Sequence, residues 1–230
     1  MSRERRSATH QFGVSKEGRL SASSSRMELS CRVGVVEAGW GSALLPHPYA
    51  VRREALMATL HLMVGLPGSG KTTEAKRLAD AAPALRLTPD EWMIPLFGDS
   101  DAGGKRDVVE GRLITVALQV LRLQADVVLD LGCWGRDERS ALRWLTEREG
   151  AVFDLIYLPV DRETQLRRIT QRWAATPQET YPMTAAEVDA WREQFEEPNQ
   201  AEAVGSVADA PHSWASWLAW AQERWPSLTA

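Results

Sequence analysis

The stretch Leu60–Thr73, LHLMVGLPGSGKTT, constrains this chain more than any other. It holds Gly65, four free positions, then Gly70, Lys71 and Thr72, the full pattern of a phosphate-binding loop. Ahead of it, Thr59–Val64 is a short apolar, β-prone run of the kind expected for a buried parallel strand. Behind it, Thr72–Ala82 carries apolar or small residues at Ala75, Leu78, Ala79 and Ala82, which predicts a helix. Strand, glycine loop and helix start form the arrangement in which backbone N–H groups turn inward onto phosphate oxygens. The helix N-terminus adds partial positive charge at the same point. The spacing therefore sets Gly65, Leu66, Pro67, Gly68, Ser69, Gly70, Lys71, Thr72 and Thr73 around the phosphates of a nucleotide. Lys71 would reach the β- and γ-phosphates, and the Thr72 hydroxyl would ligate Mg²⁺. A glycine-rich turn without a ligand is the alternative, and the agreement of all four fixed positions and both flanks argues against it.

The 230 residues suffice for one medium domain with appendages. No apolar run approaches the roughly 18–20 residues that cross a bilayer, so a soluble protein without membrane partners is expected. Cys31 and Cys133 stand in unrelated contexts, which argues against a disulfide framework and points to a reducing cytoplasm. Charge is uneven. Residues 1–56 hold 9 Lys and Arg against 5 Asp and Glu, leaving 18 against 26 of the chain's 27 and 31 for the remainder. An acidic P-loop part is a poor electrostatic match for a long nucleic acid. The leader itself is polar, Ser/Arg-rich and aperiodic, which reads as disorder. The folded unit is expected to begin near Met57.

Beyond the loop, Ala84–Thr88 reads as a second strand and ends at Pro89-Asp90-Glu91-Trp92. Asp90 lies past a strand's carboxyl end, where open α/β sheets carry their chemistry. It would serve either as a general base facing the γ-phosphate or as a helix N-cap. Asp107–Gln124 is a long helix with a broad apolar face. Ala125–Leu131 is a third strand whose Asp130 has the form of a Walker B carboxylate, in the shell of the metal. Gly132-Cys133-Trp134-Gly135 leaves that strand, and a helix follows from Arg136 to about Glu149. Arg136 and Arg139 near its start, where cations are disfavoured, suggest an anion site or else solvated charge. Cys133 has no His partner and reads as structural.

Ala151–Val160 is a fourth strand. The helix Asp161–Ala174 places Arg168 and Arg172 on one face, either as a lid over the triphosphate or as an exposed basic surface. Residues 175–184 form a Pro-containing loop. A helix over Thr184–Phe195 opens with a capping box, Thr184 with Glu187. Residues 201–211 read as a linker. An amphipathic Trp-rich helix over His212–Trp225 would dock on the domain or present a partner surface.

In order along the chain, GLPGSGKTT, TPDEW, VVLDLGCWGRDERSALR, LRRITQRWA and FEEP resemble the P-loop kinases of the zeta-toxin, chloramphenicol phosphotransferase and polynucleotide-kinase type. The likeness is greatest to the bacterial group known as AAA-family ATP-binding proteins or predicted kinases, and it spans about Leu60–Pro198. It implies transfer of the γ-phosphate of ATP to a hydroxyl. Asp90 would be the general base, Lys71 and Arg172 would act on the transferring group, and Arg168 would bind nucleotide. Thr72 and Asp130 would hold Mg²⁺, and Arg136 and Arg139 would meet the acceptor or a phosphate. Apart from the resemblance, Trp92, Phe97 and Trp134 are expected to line the acceptor pocket. One departure matters. The residue three after the base, often Arg in polynucleotide kinases, is Met93, which counts against a nucleic-acid acceptor. With no NKxD guanine-reading signature, ATP is the preferred nucleotide.

The expectation is a three-layer α/β P-loop NTPase of small-kinase type over residues 57–200, with a mainly parallel sheet in the order 2-3-1-4 and room for one more edge strand. Residues 201–230 would add a linker and the Trp-rich helix. The acceptor is expected to be a small molecule of the antibiotic, sugar or nucleotide-sugar class. The alternatives are a polynucleotide or RNA end, and a non-catalytic nucleotide switch or slow ATPase. The sequence assigns no oligomeric state.

Overall fold

The computed structural model describes residues 57–99, 101–176, 180, 182–205 and 208–230. The leader expected over 1–56, with Cys31, lies outside the described residues, as does the middle of the loop expected over 175–184.

The strands are β1 (Thr59–Val64), β2 (Ala84–Leu87), β3 (Asp126–Gly132) and β4 (Val152–Tyr157). They form one sheet in the order β2-β3-β1-β4 with every pairing parallel, as the alternation of strand and helix predicts. Among the described residues there is no fifth strand, so β4 is an edge. The helices between strands are α1 (Lys71–Ala81), α2 (Asp90–Phe97), α3 (Lys105–Arg122) and α4 (Arg136–Arg148). They are followed by α5 (Arg162–Ala175), α6 (Ala185–Gln194), α7 (Gln200–Ala203) and α8 (Trp217–Arg224).

The period-2 alternation of strands creates the three layers. Leu60, Leu62 and Val64 of β1 join Val127 and Leu129 of β3 on one face, where Leu113, Ile114, Ala117 and Leu118 of α3 and Leu142 and Leu145 of α4 cover them. Met63 and Val128 turn to the other face and meet Ala75 of α1. Removing each such leucine side chain from water contributes about 1.5–3 kcal/mol, which outweighs the weak intrinsic preferences of so short a strand. Both faces being covered explains why β1 and β3 read as continuous apolar runs.

Local chemistry sets the helix starts. Asp161 caps α5 by accepting from the Thr164 amide at 2.8 Å. Thr184 accepts from the Glu187 amide at 3.2 Å while the Glu187 carboxylate accepts from the Thr184 amide at 2.7 Å, the reciprocal box read from TAAE. The expected 201–211 linker contains a feature the sequence reading missed. Asn199 and Glu202 exchange the same pair of bonds, closing the single turn of α7. The last helix starts five residues later than expected, at Trp217 rather than His212, because Ser216 caps it through the Ala219 amide at 3.2 Å.

The C-terminal segment packs into the main core. Trp217, Ala221, Trp225 and Leu228 are buried in the same cluster as the α3 and α4 leucines. Edge-to-face contacts of Trp220 with Trp217 and Trp225, at 5.8 and 5.9 Å between centroids, bind these rings together. Among the described residues, no helix is long and apolar enough to cross a membrane.

Candidate active site

The loop after β1 passes hard against two other elements, and its glycines are required there. Gly65 has φ 149°, and a Cβ on it would lie 2.8 Å from the Leu158 carbonyl beyond β4. Gly68 has φ 80°, and a Cβ would lie 3.2 Å from the Gln165 carbonyl and Ile169 of α5. Gly70 then stands at the cap of α1 with no side chain to satisfy the first-turn amides. Those donors are left for an anionic ligand. The Ser69 hydroxyl, within the same loop, is buried without a protein partner, a polar atom that a phosphate oxygen would satisfy.

Lys71 and Asp130 meet at this point. The Lys71 ammonium donates to the Leu66 carbonyl at 3.0 Å, and the Thr72 hydroxyl donates to Asp130 Oδ2 at 2.9 Å. Burial pushes the Asp130 carboxyl up, against the opposing pull of Lys71 and the Thr72 hydroxyl. Burial likewise pulls Lys71 down, against Asp130 and Asp90, while the nearby positive charges of Arg172 and Arg106 lower it further. Five charged side chains from α1, β3, α2, α5 and α3 therefore converge. Mg²⁺ is commonly held by one or two protein oxygens together with phosphate oxygens and water. The adjoining Thr72 hydroxyl and Asp130 carboxylate fit that requirement.

Asp90 is the first residue of α2, and Pro89 occupies the capping position. The Asp90 carboxylate accepts from Arg106 Nη1 at 2.9 Å, across 16 positions of sequence, and its side chain remains 60% exposed. Arg106 was not foreseen. Its signal in the sequence was slight, a cation in the first turn of α3 with Glu110 four residues on.

The other expected site residues divide into two groups. Arg172 lies close enough to Lys71 to oppose its charge, and it is exposed. Arg168 donates to the Gly68 and Ser69 carbonyls at 3.1 and 3.2 Å, so it clasps the loop from outside. Trp92 is 49% exposed on α2. Trp134 is half-buried and packs against Trp191 at 6.1 Å, and Arg136 is exposed, its amide donating to the Glu196 carboxylate. Arg139 is a correction. It is 1% exposed, and its guanidinium is taken up by Glu202 at 2.6 and 3.1 Å and by the Cys133 and Trp134 carbonyls at 3.3 and 3.1 Å. It lies on the inward face of α4 and braces the loop after β3. Cys133 is buried, and desolvation pushes its thiol well up, which removes it as a nucleophile.

A cavity of about 670 Å³ adjoins the loop, bounded by Leu66, Leu158, Pro159, Val160, Arg168 and Phe195 among others. Tyr157 stacks on Phe195 at 6.0 Å and donates to the Glu197 carboxylate at 2.8 Å. Burial, followed by that bond, pushes the phenol up to about 12. Only the fold unites these residues, drawn from β4, α5 and the chain after α6.

Comparison with known proteins follows this geometry. A family model described as an AAA domain matches residues 60–198, more than half of the chain. No curated protein matches the sequence. Among solved structures, a chain of the Pnkp1/Rnl/Hen1 RNA repair complex is similar with a TM-score of 0.54 and 18% identity, over 60% of this chain and 44% of that one. This chain thus spans less than half the length of that protein. A kinase candidate from Chloroflexus aurantiacus is similar with a TM-score of 0.52 and 19% identity, over 62% of this chain and 82% of that one. At these identities the likeness is one of fold.

Proposed function

The chain belongs to the AAA domain family over residues 60–198, and from that premise we propose that it is an ATP-dependent phosphotransferase acting on the hydroxyl of a small molecule. The observation that carries this reading is the position of Asp90, open to solvent yet within electrostatic reach of the phosphate-loop lysine. A carboxylate so placed can receive a proton from an incoming hydroxyl.

In this reading Lys71 leaves the Leu66 carbonyl for the β- and γ-phosphates, beside the first-turn amides of α1. Thr72 and Asp130 would hold Mg²⁺, which would supply positive charge to those phosphates. Asp90 takes the hydroxyl proton as the acceptor oxygen bonds to the γ-phosphorus and the bond to the β-phosphate oxygen breaks, leaving ADP. Arg172 stabilises the charge that develops, and Arg168 keeps the loop in shape. The cavity beside Tyr157 and Phe195 receives the base and ribose. In this reading Trp92, Trp134 and Arg136 would meet the acceptor. A reducing cytoplasm suits the unpaired Cys133.

A second reading, phosphorylation of an RNA end, draws support from the fold shared with the RNA repair chain. It is the weaker one, because Met93 stands, fully buried, where the polynucleotide-kinase pattern often has Arg.

The deciding experiment is transfer from γ-labelled ATP across a mixed library of hydroxyl compounds and 5′-hydroxyl oligonucleotides. A labelled small-molecule product from wild type, reduced about 10²–10⁴-fold in Asp90→Ala with nucleotide affinity retained, is the expected result. Equal slow phosphate release from both proteins would overturn it. Labelling confined to oligonucleotides, steeply weakened by salt, would select the second reading.

A further inference from the structure

The Trp-rich C-terminus has no part in the mechanism above, yet its side chains end on a residue that touches the site. Arg106 bridges two carboxylates, donating from Nη1 to Asp90 at 2.9 Å and from Nε to Glu110 at 3.0 Å. Glu110, in the second turn of α3, is 5% exposed. Its second oxygen accepts from the Trp225 indole N–H at 3.2 Å, and Arg224 approaches it to 3.8 Å. Arg224 is in turn held by Glu138 of α4 and Asp107 of α3, at 2.8 and 2.6 Å. The last residues are tied along the same helix. Ser227 bonds to the Val108 carbonyl, and the Thr229 amide donates to the Thr115 hydroxyl at 3.0 Å. Gly111, beside Glu110, has no room for a Cβ, which would lie 2.6 Å from the Ser227 hydroxyl.

We propose that Glu110, fixed from behind by Trp225 and Arg224, is the positioning residue that holds Arg106 against Asp90, so that the C-terminal segment completes the transfer site without touching substrate. This rests on the role given above to Asp90. The geometry is that of a relay. Arg106 has a long, rotamer-rich side chain that wanders unless both ends of its guanidinium are engaged. Glu110 supplies the buried end, and Trp225 fixes which carboxylate oxygen is left for Arg106. Burial pushes Glu110 up to about 7, against the pull of Arg106 and Arg224 and with a further push from Glu138. Its charge, and with it the grip on Arg106, is therefore adjustable near neutrality.

Two measurements on the full chain test this. In ¹⁵N-tryptophan-labelled protein, the Trp225 indole resonance is assigned by its loss in Trp225→Phe and followed with pH. A midpoint near 7 is expected, absent in Glu110→Gln and moved upward in Arg106→Ala, which removes an opposing charge. In the transfer assay, Glu110→Gln is expected to lower kcat about tenfold with KM for ATP unchanged, and to cause no further loss in an Arg106→Ala background, as residues acting in series do. Trp225→Phe, which keeps an aromatic ring but removes the indole N–H, is expected to lower kcat about threefold in the same manner. An indole midpoint indifferent to Arg106→Ala, wild-type kcat in Glu110→Gln, or losses that add in the double variant would overturn the proposal. Should wild type transfer no phosphate to any acceptor, the phosphotransferase reading fails, while the indole titration still decides the relay.

Discussion

Removing either partner of the Arg139–Glu202 pair should cost stability and leave acceptor affinity unchanged. Both side chains are almost fully removed from water, with exposures of 1% and 5%, and they meet through two bonds of 2.6 and 3.1 Å. Glu202→Ala strands the Arg139 charge in a dry site. It also unties the Asn199 amide from the carboxylate, and with it the turn of α7, whose Glu202 carbonyl accepts from Arg143 at 2.6 Å. An uncompensated buried charge costs about 3–5 kcal/mol. For a domain of this size each kcal/mol shifts the midpoint by about 2–4 °C, so the melting temperature should fall by roughly 6–20 °C. Arg139→Ala should cost a similar amount, since it strands Glu202. Arg139→Met with Glu202→Leu together should recover most of the loss, because apolar side chains of similar volume remove both charges at once. The assay is urea denaturation of each variant beside steady-state transfer. If Arg139→Ala left stability within about 0.5 kcal/mol of wild type and instead raised KM for the acceptor, the assignment of Arg139 to the scaffold would be refuted.

Lys71→Ala should abolish nucleotide-dependent transfer with the fold retained; a labelled-ATP assay beside a thermal melt checks both. Gly111→Ala should destabilise by about 1–2 kcal/mol despite the better helix propensity of Ala, since the new methyl meets the Ser227 hydroxyl at 2.6 Å and the Leu228 amide at 2.9 Å. Chemical denaturation reads its sign, and a stabilised variant would show that the C-terminal segment is not seated on α3. Glu110 binds its proton more tightly in the folded chain than its ordinary value of 4.5 allows, up to about 7. The folded state thus holds the extra proton, and stability contributed by Glu110 falls as pH rises from about 4.5 to 7, by up to roughly 3 kcal/mol. Glu110→Gln should flatten the stability profile across that window, and an unchanged slope would contradict the burial of this carboxyl.

Much of the architecture was legible because the signals are local. The apolar run Thr59–Val64, the glycines of the loop and the box formed by Thr184 and Glu187 each act over a few residues, and all appear where the pattern sets them. The helix of the C-terminus was legible in kind but not in extent, because the Ser216 cap competes with a periodicity that continues ahead of it. Asp90 was ambiguous between base and cap, since both roles suit an Asp entering a helix. The structure puts Pro89 at the capping position and Asp90 one residue inside it, paired with Arg106. Arg139 misled for a related reason. Its place near a helix start suggested an anion, but the anion is Glu202, 63 positions further along.

By itself the sequence determined the phosphate loop and the layered parallel sheet, because backbone freedom at glycine, strand burial and helix capping depend on near neighbours in the chain. Tertiary structure decided which charges meet. The docking of α2, and of the residues that follow α8, on α3 brings Asp90, Arg106, Glu110 and Trp225 into one line. The closing of the chain after α6 over β4 builds the cavity beside the loop. Pairings of that kind depend on how faces of distant elements are turned toward one another, and the turning is set by the packing of the whole core.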